Sequence, residues 1–175
     1  MKKLVLSIAL VAGLNFVASA QTEGAVKKLS IGAEFGISTN RGIKDIVIAG
    51  GSIQFEQPVA KSLNLIFSTG YLSQMITGDL RDAFKAFGLP TSLGMIPIKA
   101  GAKYYFNNNF YGAGDAGVAI SVDGGGTAFI FGPSLGASFS IADKSSLDFG
   151  LRYGTWTTSR SLSFLGIRAA YAFGL

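Results

Sequence analysis

LSFLGIRAAYAF, residues 162–173, places Leu165, Ile167, Ala169, Tyr171 and Phe173 on one face and Gly166, Arg168, Ala170 and Ala172 on the other. A repeat of two marks an extended strand, because successive side chains point to opposite sides of a sheet. One face is apolar and closes on aromatics; the other is small or charged.

Working back along the chain, seven more segments show the same alternation. In 29–38, Leu29, Ile31, Ala33, Phe35 and Ile37 oppose Ser30, Gly32, Glu34, Gly36 and Ser38. In 52–59, Ile53, Phe55 and Val59 oppose Gln54 and Glu56. The segment 63–73 groups Leu63, Leu65, Phe67 and Tyr71, with Ile66 and Leu72 interrupting the polar face. In 95–106, Ile96, Ile98, Ala100, Ala102, Tyr104 and Phe106 oppose Lys99, Gly101, Lys103 and Tyr105. A weaker, glycine-rich segment is 110–121, and 128–141 sets Phe129, Phe131, Leu135, Phe139 and Ile141 against Ser134, Gly136, Ser138 and Ser140. In 147–156, Leu147, Phe149, Leu151 and Tyr153 oppose Asp148, Gly150 and Arg152. These lengths are near the ~9–11 residues with which a tilted strand crosses a bilayer. The expected fold is therefore all-β, an eight-stranded antiparallel up-and-down transmembrane β-barrel.

The start of the chain, MKKLVLSIALVAGLNFVASA, has the layout of a secretory signal: Lys2 and Lys3, an apolar run to about Leu14, and the small residues Ala18, Ser19 and Ala20 before Gln21. Residues 1–20 are read as a signal peptide and 21–175 as the barrel domain. The apolar run is too short for a spanning helix, which needs ~20 residues. Removing 20 residues, Lys2 and Lys3 among them, leaves 155 with 13 basic and 10 acidic groups, a net +3. That charge is mild and forms no basic block, so nucleic-acid binding is not expected. Charged residues make up 14% of the chain, against ~25% in soluble domains.

Periodicity alone does not say which face is inside, so a soluble ligand-carrying barrel is the competing architecture. Such a barrel would turn its polar face to water and carry roughly a quarter to a third charged residues there. Here the polar face is mostly Gly, Ser and Ala, with single charges that balance: Glu34, Glu56, Asp115 and Asp148 against Lys99, Lys103, Arg152 and Arg168. Four acids and four bases suit a narrow interior, where an unpaired charge is costly. The apolar face carries no charge in these segments.

IPIKAGAKYYFNNNFYGAGDAG at 96–117, LDFGLRYG at 147–154 and FLGIRAAYAF at 164–173 together resemble the small outer-membrane β-barrel domain family, akin to OmpA/OmpX-type barrels. The resemblance covers essentially the whole mature chain. It implies residence in the cell outer membrane, contact with outer-membrane lipid and lipopolysaccharide, and recognition of the C-terminal strand by the barrel-assembly machinery. Family barrels usually end on an aromatic, whereas this chain runs on past Phe173 to Gly174 and Leu175. No C-terminal extension resembles a peptidoglycan-binding domain, so cell-wall tethering is not expected.

Gly112, Gly114 and Gly117 match G-x-G-x-x-G, but a dinucleotide site needs the glycines at a strand-to-helix turn. Here they lie inside a barrel segment, where close packing or bending of strands is expected instead. Gly124, Gly125 and Gly126 read as a flexible outer turn. Histidine and cysteine are absent, which removes the usual general base and the soft metal ligands. No cofactor, metal or catalytic residue is assigned. Outer-membrane enzymes of this architecture commonly use a histidine with serine, so a non-enzymatic protein is expected.

Connections alternate in length. Residues 60–62, 107–109 and 142–145 are tight, 122–127 and 157–161 are modest, and 39–51 and 74–94 are long. In such barrels the short turns face the periplasm and the long loops face outside. Within 79–88, Leu80, Phe84 and Phe87 recur at i, i+4 and i+7, with Asp79 placed to cap a short helix and Gly88 and Pro90 to stop it. Its apolar face would pack on the barrel mouth or serve as a contact surface or partial lid. Two functions follow from different classes: a structural or surface-interaction protein with a filled lumen, and a small passive pore or gated channel.

Overall fold

The computed structural model describes residues 26–40, 45–158 and 161–175. The leader at 1–20 lies outside them. Eight strands form a closed barrel in chain order: β1 Lys28–Ser38, β2 Ile46–Pro58, β3 Leu63–Ile76, β4 Ser92–Tyr105, β5 Phe110–Ser121, β6 Thr127–Ala142, β7 Ser145–Thr157 and β8 Ser161–Gly174. Among the described residues one helix forms, α1 Gly78–Ala86, between β3 and β4. Every pairing is antiparallel, and β1 closes on β8 from Lys28↔Gly174 to Ser38↔Phe164. Closure removes the free edges that an open sheet would expose, so the wall's backbone groups are paired within it.

The alternation maps onto inside and outside as expected. Ile31, Phe35, Ile98, Phe131, Leu151 and Ile167 point outward and are exposed, whereas Ser30, Glu56, Lys103, Asp115, Ser138 and Asp148 are buried inward. The start of β1, the end of β8 and the short turns, residues 59–62, 106–109 and 143–144, share one end; the end of β1, the start of β8 and the connections 77–91 and 122–126 share the other.

Three boundaries move. The long loops expected at 39–51 and 74–94 are 39–45 and 77–91, because β2 begins at Ile46, β3 runs to Ile76 and β4 begins at Ser92. Ala49, Gly50 and Gly51 look like loop chemistry in isolation, but here the small residues serve the wall. A Cβ at Gly50 would overlap the Tyr71 carbonyl and crowd Leu72. The last two residues also have places: Gly174 N–H donates to Lys144 O at 2.6 Å and Leu175 N–H to Lys27 O at 2.8 Å, so the chain end is stitched to the turn-side rim.

Candidate functional site

The lumen collects all eight charges expected there, because each occupies an inward position of its strand. They form two tiers. In the tier nearer the short turns, Lys103 Nζ lies 3.0 Å from Glu56 Oε2 and 2.7 Å from Asp148 Oδ2. Tyr105 donates to Glu56 Oε1 at 3.0 Å, Tyr111 donates to Asp148 Oδ1 at 2.7 Å, and Asn64 donates to Glu56. The Lys103 ammonium also stands 3.9 Å from the centroid of the Tyr111 ring, a cation–π contact in a water-poor setting.

In the middle tier Asp115 meets Arg152 directly and Lys99 at 3.6 Å. Arg168 faces Glu34 at 3.8 Å and donates to Ser52 Oγ at 2.9 Å and Ser30 Oγ at 3.0 Å. The lower tier holds Glu56 and Asp148 against Lys103, a net −1; the middle holds Glu34 and Asp115 against Lys99, Arg152 and Arg168, a net +1. Arg168 Nη1 and Asp148 Oδ1, 4.0 Å apart, join the two. Neutrality is thus a property of the whole ladder rather than of either tier. A cavity of about 50 Å³ among Glu34, Lys99, Asp115, Arg152 and Arg168 remains in the middle, room for a few water molecules. Asp115 Oδ1 is buried there without a hydrogen-bond partner among the described residues.

Toward the loop end the lumen turns apolar, which the strand-by-strand reading did not foresee. Ile48, Leu72, Met95, Ala119, Ala128, Ile130, Trp156 and Phe164 form one buried cluster, with Trp156 and Phe164 edge to face at 6.0 Å between centroids. Ile48 is 2% exposed and Trp156 4%, so this layer seals the barrel. The signal for it in the sequence is Leu72, which breaks the polar face of β3 and is 4% exposed; Ile66, the other break, is buried inward at the level of Glu56. Tyr105 shares the polar face of β4 with the lumen lysines, and Tyr111 is in phase with Asp115 on β5; the alternation places them inward but does not reveal them as donors to Glu56 and Asp148.

Gly112, Gly114 and Gly117 all lie inside β5, and a Cβ at Gly117 would overlap the Ile98 carbonyl, so that glycine serves strand packing. Gly124 and Gly126 have φ of +80° and +83°, a turn conformation natural to glycine. Among the described residues no group of three or more His, Cys, Asp or Glu side chains is placed to hold a metal ion. Helix α1 begins after Thr77, which makes no side-chain cap bond, so Asp79 sits in the first turn instead of capping it. Gly88, at φ +67°, ends the helix: its N–H bonds Lys85 O and the Leu89 N–H bonds Phe84 O, a Schellman closure. Leu80 and Phe87 are exposed and Phe84 half-buried; no α1 residue is buried, so the helix does not pack its apolar face into the mouth.

No protein-family model and no curated protein matches the chain. Among solved structures, Ail, the attachment invasion locus protein of Yersinia pestis, aligns with a TM-score of 0.56 at 13% identity over 85% of this chain and 99% of its own. The same Yersinia pestis outer membrane protein in a phospholipid bilayer nanodisc gives 0.53 at 15%, over 83% and 99%. Neisserial surface protein A gives 0.56 at 13%, over 85% and 96%. The fold is that of an outer-membrane β-barrel. At these identities the likeness concerns the fold alone, and the chain matches the full span of each neighbour.

Proposed function

We propose that this protein is a non-enzymatic component of the cell outer membrane, exported by the leader at 1–20, whose barrel is a filled anchor for the loop-end surface. The observation that carries this reading is the doubly closed lumen. An ion entering from the loop end meets the sealed cluster around Trp156 and Phe164, and one entering from the turn end meets Lys103 already bonded on both sides. Conduction through either layer would require breaking buried contacts, whereas anchoring uses them as they stand. The lipid-facing wall, with Tyr104 on Phe106 and Tyr171 on Phe173 near the turn end, supplies an aromatic girdle for one membrane interface. Outer-membrane lipid and lipopolysaccharide are the expected surroundings, with the barrel-assembly machinery reading β8.

Planar-bilayer recording of the purified protein tests the reading. Current should be absent or rare and small; steady open-channel current whose ion selectivity changes when Lys99 or Arg152 is neutralised would establish the channel alternative. Cell fractionation, with electrophoresis before and after boiling, tests the location. A closed barrel resists detergent and shifts in mobility only when boiled, and recovery as a soluble periplasmic protein would overturn the assignment.

A further inference from the structure

Helix α1 has an apolar face that the barrel leaves uncovered. Leu80 is 38% exposed, Phe87 81% and, just past the helix, Leu89 50%. The lumen offers that face no place, since the barrel's own side chains already seal its loop end. Arg81 and Lys85 each follow an apolar residue by one position, about 100° around the helix, and so border the face along one side. Both are exposed, and neither makes an ion pair among the described residues; the exposed Asp79 and Asp82 lie on the opposite flank, so the helix is neutral overall with its cations segregated to one side.

Height along the barrel decides what lies beside the helix. On the outer wall the Tyr71 hydroxyl fills the space beside Gly94, with Val122 against the same spot. Tyrosine in such a position marks the membrane–water interface. Thr91, at the base of the loop, is three residues beyond Gly94, about 10 Å of strand. That base is clamped, with Ile76 N–H bonded to Thr91 O and Thr77 N–H to Asp45 O, so α1 springs from a fixed root within about 10 Å of strand from that tyrosine.

Resting on the reading of the barrel as membrane-spanning, we propose that α1 is a surface-docking helix. It lays Leu80, Phe84 and Phe87 into the headgroup boundary of the leaflet at the loop end, and Arg81 and Lys85 face the phosphates of anionic lipid there. Apolar burial supplies the attachment and the two cations supply the preference for negative charge.

The absence of cysteine lets a single introduced thiol report one position. The full-length mature protein carrying F87C, labelled with an environment-sensitive fluorophore, is reconstituted into phosphatidylcholine vesicles with and without phosphatidylglycerol, using acyl chains brominated near the headgroup and, separately, near the bilayer centre. I98C on the lipid-facing wall and K61C in a turn serve as references. The expected result is blue-shifted, lipid-quenched emission at F87C that strengthens with phosphatidylglycerol. R81Q/K85Q should erase that gain, by about fivefold in the bound-to-free ratio for each cation lost. Quenching at I98C but not at F87C would overturn the docking helix and leave the spanning barrel standing, whereas loss of quenching at both would overturn the barrel reading itself. Quenching indifferent to phosphatidylglycerol would overturn the anionic preference, and a concentration-dependent blue shift without quenching would assign the face to a second copy of the chain.

Discussion

At the scale of single residues, Lys103 is the most demanding position, because one ammonium neutralises Glu56 and Asp148 in a confined space. Lys103→Met should cost about 3–5 kcal/mol, as breaking a buried pair does, since it leaves two carboxylates facing each other. Lys61→Ala, on an exposed turn, should cost under about 1 kcal/mol. Reversible urea unfolding in lipid vesicles measures both. A charge on the lipid face fails for another reason. Ile98→Arg or Ile167→Arg puts a guanidinium in hydrocarbon, at about 2–4 kcal/mol near the midplane. Polar periodicity alone would make Ser30 a tolerant site for arginine, but the structure reverses that expectation: Ser30 Oγ accepts from Arg168 at 3.0 Å. Ser30→Arg should therefore also impair assembly, by setting two cations together.

At the scale of elements, the strands were legible wherever apolar and polar residues alternate strictly, as in β1 and β8. They blurred where glycine replaced the inward residue. Several of those glycines accommodate an aromatic from a neighbouring strand. A Cβ at Gly136 would overlap the Tyr111 hydroxyl, and one at Gly154 would overlap the Phe164 ring. Gly154→Ala should thus cost about 1–3 kcal/mol through overpacking. Phe164→Leu should recover part of that loss in the double mutant, and a double-mutant cycle reads the coupling. Helix α1 was legible from the 3.6 period and the Gly88 stop. Its start was not, because Asp79 has cap chemistry but lies two residues past the N-cap, Thr77.

For the whole molecule, the arrangement of the lumen into layers governs behaviour. The charge ladder and the apolar cap close the same passage by different means, so they respond differently to substitution. Trp156→Ala should hollow the cap at about 3–5 kcal/mol while leaving the ladder paired. It should yield at most brief, small conductance in bilayer recordings, because Lys103 still closes the turn end. Combining Trp156→Ala with Lys103→Met should raise the frequency of openings above either single variant. Equal silence in all three would show that the ladder's remaining groups suffice to plug the barrel.

The order of residues by itself determined the strand count, the closure into a barrel, the lipid-facing set and the identity of the eight interior charges. Each of these follows from a period of two and from the cost of leaving a charge in hydrocarbon, which are properties of neighbours in the chain. Tertiary structure alone decided the partners. Lys103 and Asp148 are distant in sequence and meet only because three intervening strand pairings bring them to one height across the lumen. The same registers gather Ile48, Leu72, Met95, Trp156 and Phe164 into one cap. Each of those residues taken alone is only an apolar side chain on the polar face of its strand; stacked at a single level, they shut out water.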